Sequence, residues 1–439
     1  MDFTLDSGNT AFMLVAASLV LLMTPGLAFF YGGMVRGKSV LNMMMMSFGA
    51  LGLVGLIWVL YGYSAAFSTT DTNPDIGGFF ADPTTWFGLQ GATDADSLMA
   101  STGVPFLVGA GFQLTFAVIT VALISGAVAD RMKFSSWLVF GGIWVTVVYV
   151  PMAHMVWNGG NLGADGITKS ISTPIDFAGG TVVHINAGTA GLVLALLLGI
   201  RKGFGKEPMR PHNLPFVMLG AALLWFGWFG FNAGSEFGAD GVAGRAWLNT
   251  TVATCVAMLA WLATEKLRDG HATSLGAASG VVAGLVAITP AAAAVDSYGA
   301  IAIGAIAGVL CALAVGLKYK FGYDDSLDVV GVHLVGGLVG TLLIGFFATA
   351  DNSTFLPDGA KEGLFYGGGI DQLLTQAIVA AAAILFSFTA TFVIGYILKK
   401  TIGIRVSEEA EVGGIDLAVH AESAYETLGA GSRVVTEVK

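Results

Sequence analysis

Two histidines lie inside long apolar stretches of the sequence, where an ionisable side chain is rare and usually functional. His184 follows Asp176 by eight residues, and His333 follows Asp328 by five. At about 1.5 Å per helical residue, each imidazole is expected roughly 7–12 Å beyond the preceding carboxylate, near the middle of its stretch. Neutral imidazoles donate or accept hydrogen bonds and can pass protons. The pair favours a pathway for a small hydrogen-bonding solute or a proton, with two separate, purely structural histidines as the alternative.

The apolar stretches lack the side chains that metal transport or enzymatic catalysis would need. Away from their ends, the apolar stretches contain no Lys, Arg, Asp or Glu. A metal pathway would use carboxylates or thiolates, and Cys255 and Cys311 both lie in apolar runs that suit small hydrophobic residues. No nucleophile–base pair or metal-ligand cluster is visible in the sequence. We therefore predict no enzymatic activity, no metal site and no cofactor.

Aromatic residues beside small polar residues form a second pattern. Trp157 precedes Asn158 and two glycines, and Phe231 lies four residues before Ser235. A single aromatic residue at the end of an apolar stretch usually anchors in the membrane interface or packs against lipid. Together, Trp157 and Phe231 could line a vestibule that binds a cation through their π faces, an interaction worth about 0.5–2 kcal/mol.

The composition indicates what kind of chain carries these residues. Of 439 residues, 55% are hydrophobic and 11% are charged, against about 25% charged in soluble proteins. A soluble enzyme, a disordered protein and a nucleic-acid binder are excluded, and the net charge of −10 supplies no basic surface for nucleic acid. The sequence predicts a chain embedded in a lipid bilayer.

Eleven apolar stretches are each close to the roughly 20 residues that a helix needs to cross a bilayer. They cover residues 10–33, 40–66, 103–129, 135–156, 178–199, 215–238, 247–264, 275–293, 298–317, 329–350 and 372–398.

Basic residues alternate between the segments that join these stretches. Seventeen of the 20 Lys and Arg residues follow odd-numbered stretches, and the other three are Lys169, Arg245 and Lys361. Because basic residues stay on the inner side, the N-terminus is predicted outside and the C-terminus inside the cytoplasmic membrane. The first nine residues contain no Lys or Arg, so the first stretch is predicted to be a permanent helix and not a cleaved signal peptide.

The eleven stretches divide into a first set of five, a second set of five and one final stretch. Sets with an odd number of crossings start on opposite sides of the membrane, so a repeat between them would be inverted. The stretch with Asp176 and His184 and the stretch with Asp328 and His333 would then be counterparts. Glycine contributes 62 residues, which favours closely packed helices. The predicted fold is an all-α membrane protein of eleven transmembrane helices, built as an inverted five-plus-five repeat plus one helix.

Three motifs carry a resemblance to a known family. They are DFAGGTVVHIN (176–186), WFGFNAGS (228–235) and DVVGVH (328–333). They resemble the ammonium transporter family of the Amt/Mep/Rh superfamily, in particular its bacterial Amt branch. The resemblance extends over nearly the whole chain, from the PG and FYGG strings of the first stretch to the tail.

The resemblance implies roles along a pore. His184 and His333 match the twin pore histidines, which relay a proton. Phe116 and Phe231 match the stacked phenylalanines that gate the pore. Such a hydrophobic route is expected to reject K⁺ and Na⁺, because desolvating a cation costs many kcal/mol.

The resemblance also implies an outer recruitment site for ammonium. Trp157 and Ser235 match its aromatic wall and its hydroxyl, and Phe112 lies just above the gate. Asp176 matches a buried acid that supports the site without binding the ion directly. The stretch 158–175 is longer than the corresponding stretch in the family pattern. The outer loop is therefore expected to differ in shape, whereas the motifs are unaffected.

The implied function is ammonium uptake by a homotrimer with one pore per subunit. Ammonium would be recruited outside, lose a proton, pass as ammonia along the histidines and be reprotonated inside. The alternatives are a passive gas channel of the Rh type and an ammonium sensor with little transport.

The sequence predicts two regions, a transmembrane domain at 1–399 and a cytoplasmic tail at 400–439. The tail resembles the family's regulatory tail, which docks on the neighbouring subunit and responds to a PII-type signal protein. Ala421 replaces the glycine that usually follows the histidine at 420. The acidic residues Glu408, Glu411 and Asp416 favour docking on the basic inner surface.

Overall fold

The computed structural model describes residues 4–69, 75–91, 102–351 and 353–425. Within these ranges the secondary structure is helical, and the only strand-like pairings are three isolated bridges. Ten helices in the described ranges are long and apolar enough to cross a membrane, and an eleventh apolar helix is shorter. The helices are α1 Ser7–Met34, α2 Val40–Phe67, α3 Phe106–Val128, α4 Phe134–Trp157, α5 Gly180–Leu198, α6 Leu214–Glu236, α7 Gly241–Asp269, α8 Ser274–Ile288, α9 Ser297–Phe321, α10 Val330–Phe347 and α11 Asp371–Thr401.

Helix α8 differs from the prediction of eleven full-length spans. The apolar stretch 275–293 was expected to be one helix, but α8 has 15 residues, about 22 Å of helix against about 30 Å of hydrocarbon. Pro290 follows shortly after its end, and the chain turns through residues 289–294. A proline cannot donate the backbone hydrogen bond that would continue the helix, so apolarity alone overstates the length of this helix.

Helices α5 and α10 begin in the same way. Each starts with a π-helical turn, Gly180–Ile185 in α5 and Val330–Leu334 in α10. The carboxylate of Asp176 accepts hydrogen bonds of 2.6–3.1 Å from the backbone N–H groups of residues 179–182. The carboxylate of Asp325 accepts bonds of 3.0 and 2.7 Å from those of residues 329 and 330. Each carboxylate therefore caps the helix that carries the histidine eight residues later.

Asp325, and not Asp328, is thus the counterpart of Asp176, and the sequence-based pairing is corrected. Asp328 takes the position of Gly179: each lies three residues after the capping carboxylate and has a positive φ, 64° and 110° respectively. The sequence offers three aspartates in five residues, and only the hydrogen bonds show which one caps the helix. Burial raises the pKa of Asp325 to about 6, although Lys318 and the two amide bonds favour its charged form.

Two glycines let α5 and α10 cross in direct contact. Gly188 and Gly337 each lie one helical turn after a histidine. A Cβ atom at Gly337 would lie 3.1 Å from the Cβ of His184, and one at Gly188 would overlap the backbone of Leu334. Small residues permit this kind of close approach between membrane helices. The crossing brings together two histidines that are 149 residues apart in the chain.

The other helices surround this crossing. Helix α11 packs against both α5 and α10, α1 packs along α6 and against α3, and α7 packs against α8 and α9. The end of α5, the end of α9 and the chain after α11 lie on one face, which we call the tail face. The opposite face, where α6 ends and α5 begins, is called the vestibule face.

The chain after α11 folds back onto the tail face. The backbone N–H of Lys133 donates to Ile404 O (2.9 Å), and that of Val406 donates to Arg131 O (3.0 Å). The side chain of Glu411 is 1% exposed and forms an ion pair with Arg405 at 2.8 Å. The two backbone bonds attach the start of the tail to the loop between α3 and α4, and the ion pair joins two tail residues.

Later tail residues contact the N-terminus of α2. The carboxylate of Asp416 accepts hydrogen bonds from the backbone N–H groups of Leu41 (3.0 Å) and Asn42 (2.8 Å). This supplies a cap that Ser39, at the N-cap position, does not provide with its own side chain. These contacts join residues of one chain, and docking on a neighbouring subunit stays a prediction. Residues 426–439 lie outside the described ranges, and the boundary at residue 400 stays a prediction.

Candidate functional site

A cavity of about 700 Å³ opens on the vestibule face. We call it the vestibule. Aromatic rings and small polar groups dominate its wall. The wall contains Gln113, Phe116, Trp157, Asp176 and Ser235, together with the aromatic residues Tyr63, Phe67, Phe106, Phe177, Phe237 and Phe355. Such a wall suits a cation, because aromatic faces carry negative partial charge.

Trp157 and Ser235 are held in position by hydrogen bonds to the backbone. The indole Nε1 of Trp157 donates to Asp176 O at 2.9 Å. The hydroxyl of Ser235 donates to Phe231 O at 2.8 Å. Because that hydroxyl hydrogen is already used, the lone pairs of Ser235 Oγ remain to accept a bond from a ligand. The vestibule therefore offers an oriented ring and an acceptor to a cation with N–H groups.

Gln113 is a vestibule residue that our sequence reasoning missed. It lies on α3 one turn before Phe116 and lines the same cavity. Its Oε1 atom is buried and has no hydrogen-bond partner among the described residues. The signal was available, because a polar side chain inside an apolar stretch is a functional pointer. Gln113 therefore adds an amide with a buried, unpartnered oxygen to the wall of the vestibule.

Asp176 lines the floor of the vestibule but has little capacity left for a ligand. Its Oδ1 and Oδ2 atoms each accept two of the four backbone bonds that cap α5. Its negative charge is therefore directed at the helix N-terminus, which carries positive partial charge. This position fits the support role that the resemblance implies.

Phe116 and Phe231 separate the vestibule from the interior. Their rings stack with centroids 4.0 Å apart and planes inclined by 20°. Phe116 lines the vestibule, and Phe231 lines the next cavity. At that spacing the rings leave no space between them, so a solute can pass only if they move.

Phe112 lies behind this pair. It is fully buried, with its ring centroid 4.8 Å from that of Phe116 and 5.3 Å from that of Phe237. It is not part of the vestibule wall. The structure thus places it where it supports Phe116, and a direct contact with substrate stays a prediction.

The two histidines meet below the gate. Their Nδ1 atoms are 3.3 Å apart, and their rings are inclined by 21° with centroids 5.4 Å apart. One Nδ1 must donate and the other accept. It follows that the Nε2 atom of the donating histidine is an acceptor, whereas the Nε2 atom of its partner is an N–H donor.

The cavity beside the histidines is small and mostly apolar. Its free volume of about 10 Å³ is close to that of one water-sized molecule. His184, His333 and Trp228 are its polar residues, and the rest of its wall consists of Met, Leu, Ile, Val and Phe side chains. His184 Nε2 has no partner among the described residues. The cavity can hold one small solute and offer it hydrogen bonds.

A third cavity, also of about 10 Å³, continues toward the tail face. His333 lines both small cavities, and Asp328, Ser279 and Tyr31 belong to the third one. The vestibule, the gate, the histidines and this last cavity form one line through the helices. In the described ranges, no three His, Cys, Asp or Glu residues are grouped to hold a metal ion.

Comparisons with known proteins show the family of the chain. The chain matches the Ammonium Transporter Family over residues 11–425. An ammonium transporter of Mycobacterium tuberculosis (strain H37Rv) is 56% identical, covering 98% of this chain and 92% of that protein. The crystal structure of Candida albicans Mep2 has a TM-score of 0.82 at 30% identity, covering 96% of this chain and 93% of that one. A structure described as a sensor Amt protein has a TM-score of 0.82 at 27% identity, covering 94% and 98%. The family resemblance of the motifs is therefore confirmed, and the chain belongs to the ammonium transporter family.

Proposed function

We propose that this protein carries ammonium across the cytoplasmic membrane and moves charge as it does so. The observation that carries the proposal is the line of three cavities, interrupted by the Phe116–Phe231 pair and then by the His184–His333 pair. A pathway for bare K⁺ or Na⁺ would need a continuous polar lining. This one offers polar groups only at the vestibule, at the histidines and at the tail face.

The proposed topology places the vestibule outside and the tail face inside. The 17 basic residues assigned to the inner side include the tail-face residues Arg131, Arg201 and Lys318. In this topology all eleven apolar stretches cross the membrane, with α8 and its following turn acting as one crossing. The matching starts of α5 and α10 support the inverted five-plus-five repeat.

Ammonium would first be recruited in the vestibule. Its N–H groups can donate to Ser235 Oγ, while the face of Trp157 contributes a cation–π contact of about 0.5–2 kcal/mol. Potassium carries the same charge but has no N–H groups, so it cannot donate a hydrogen bond to Ser235 Oγ. Phe116 forms the lower wall of this site.

Passage beyond the gate would require ammonium to give up a proton. Moving a charged ion into a dry apolar cavity costs many kcal/mol, whereas neutral ammonia avoids most of that cost. Ammonia can both donate and accept, which matches the donor and the acceptor that the paired imidazoles present. The same imidazoles can relay the proton, and the ion re-forms beyond His333.

Two alternatives within the family predict different measurements. A passive gas channel of the Rh type would move ammonia without net charge. A sensor would move little ammonia and little charge, and one structural neighbour is described as a sensor Amt protein. No enzymatic activity and no cofactor are proposed for the chain.

Ammonium pulses on solid-supported membranes carrying the purified protein test the proposal. We expect a transient current that saturates with ammonium concentration, no comparable current with K⁺, and none from protein-free liposomes. Ammonia flux without current would favour the gas channel. Ammonium binding without flux or current would favour the sensor.

We further propose a homotrimer whose tail face binds a PII-type signal protein. The tail already contacts this face, through the Lys202–Glu408 ion pair at 2.8 Å and a hydrogen bond of 2.7 Å from the backbone N–H of Lys202 to Glu411 Oε1, and so places acidic and basic groups side by side there. We expect purified protein to have three times the mass of the chain. A PII-type protein should bind the tail face with an affinity that falls as salt rises. A monomeric mass would contradict the homotrimer. A pull-down that recovers no PII-type protein would contradict the binding of that partner.

A further inference from the structure

The two matching helix starts differ at one position. Gly179 and Asp328 both follow the capping carboxylate by three residues, and both have positive φ. Glycine adopts this conformation freely, whereas any residue with a Cβ adopts it at a cost, although aspartate tolerates it better than most. The second half of the chain therefore carries a side chain where the first half has none. Strain of this kind commonly accompanies a functional side chain.

The side chain of Asp328 lies at the end of the pore. It lines the third cavity together with His333, Ser279 and Tyr31. It is 23% exposed, so it is within reach of both the cavity and the solvent of the tail face. An ion that leaves His333 toward this face meets Asp328 as the first carboxylate along the cavity wall.

Lys318 neutralises this carboxylate. Its Nζ atom donates to Asp328 Oδ1 at 2.6 Å and to the backbone oxygen of Asp325 at 3.0 Å. The lysine side chain is 9% exposed, so water screens the pair only weakly. Asp328 Oδ2 has no hydrogen bond among the described residues, which leaves one acceptor facing the exit.

The charge balance matters for release. An unpaired carboxylate at the end of an apolar pore would hold ammonium and delay its departure, because a transported ion must be bound firmly enough to enter a site and weakly enough to leave. A lysine without its carboxylate would repel the cation from the same place. The pair avoids both effects.

We propose that Asp328 and Lys318 form an exit site for ammonium, in which Asp328 accepts a hydrogen bond from the re-formed ion and Lys318 keeps that site weak. The proton comes from the histidine relay and returns to ammonia, so no further reactant is involved. This inference rests on the proposed function. Lys318 acts as a positioning residue, since it touches the carboxylate and not the ion.

Replacing Asp328 separates the backbone role from the exit role. Asp328→Gly and Asp328→Asn both tolerate the positive φ, and Asp328→Gly copies the other half of the chain. We expect both variants to fold, with a thermal stability that is lowered because Lys318 loses its partner, and their maximal ammonium current to fall at least threefold. Asp165→Asn, which breaks an exposed ion pair with Lys169 on the vestibule face, is the control and should carry the parent current.

Replacing Lys318 tests the release argument. In Lys318→Met the carboxylate is unpaired, so we expect a lower half-saturating ammonium concentration together with a lower maximal current. In the double variant Asp328→Gly/Lys318→Met, the half-saturating concentration should return toward the parent value while the maximal current stays reduced, because the side-chain acceptor is missing.

Two outcomes overturn the inference. One is a parent-like current in Asp328→Gly and Asp328→Asn, which decides the matter even if Lys318→Met does not fold. The other is a fully restored current in the double variant, because charge balance alone would then be sufficient. Both outcomes presuppose an ammonium current in the parent protein. A parent without any current would contradict the proposed function instead.

Discussion

Replacing either pore histidine with alanine is expected to reduce the ammonium-evoked current to the level of protein-free liposomes, a loss of at least tenfold. In His184→Ala or His333→Ala the remaining imidazole loses the partner 3.3 Å away, and the cavity no longer presents a donor and an acceptor side by side. The proton then has no relay, and ammonia loses its hydrogen bonds in an otherwise apolar cavity. Currents on solid-supported membranes provide the measurement.

The control for this experiment is His271→Ala. His271 is an exposed residue in the loop between α7 and α8, outside the pore, so its replacement should leave the current unchanged. Size-exclusion profiles and thermal unfolding of all three variants show whether the fold is kept. If both pore variants folded and carried parent-like currents, the two histidines would be structural residues of the α5–α10 crossing and nothing more.

The second expected result concerns the vestibule, where affinity should change more than maximal rate. Trp157→Leu removes the ring and Ser235→Ala removes the acceptor, and each acts before the gate is crossed. We expect each to raise the half-saturating ammonium concentration about 2- to 30-fold, which corresponds to the 0.5–2 kcal/mol of a cation–π contact or a single hydrogen bond. The maximal current should fall less, because these contacts are made before the barrier.

Two matched controls are available within the chain. Ser18 on α1 donates to Leu14 O at 2.8 Å, the same bond to the fourth preceding residue that Ser235 makes, but it lies outside the vestibule. Trp247 on α7 is 46% exposed and stacks on Phe229. Ser18→Ala and Trp247→Leu should keep the parent concentration dependence. Unchanged half-saturation in both vestibule variants would remove Trp157 and Ser235 from the recruitment site.

Much of the protein could be predicted from the sequence because bilayers impose a simple rule. A helix must satisfy its own backbone groups and cover itself with apolar side chains, so spans can be read from composition. The exception shows the limit of that rule: α8 ends at Ile288 near Pro290 inside a stretch that is apolar to residue 293. Here the local backbone chemistry of proline outweighed hydrophobicity.

Identities of partner residues could not be predicted in the same way. The sequence paired Asp176 with Asp328, and the hydrogen bonds assign that position to Asp325. Gln113 was passed over in a string rich in phenylalanine, and its unpartnered oxygen is evident only once the vestibule is assembled. Docking of the tail on a neighbouring subunit stays a prediction, and the tail's described contacts within its own chain include α2 and the α3–α4 loop.

The sequence by itself therefore determined the class of protein, the apolar helices, the two histidines and the family, because these depend on residue type and on spacing along one helix. The tertiary structure decided what those residues face. Nothing along the chain requires His184 and His333, 149 residues apart, to bring their Nδ1 atoms within 3.3 Å of each other. That contact depends on Gly188 and Gly337, which allow two helix backbones to approach where any Cβ would separate them.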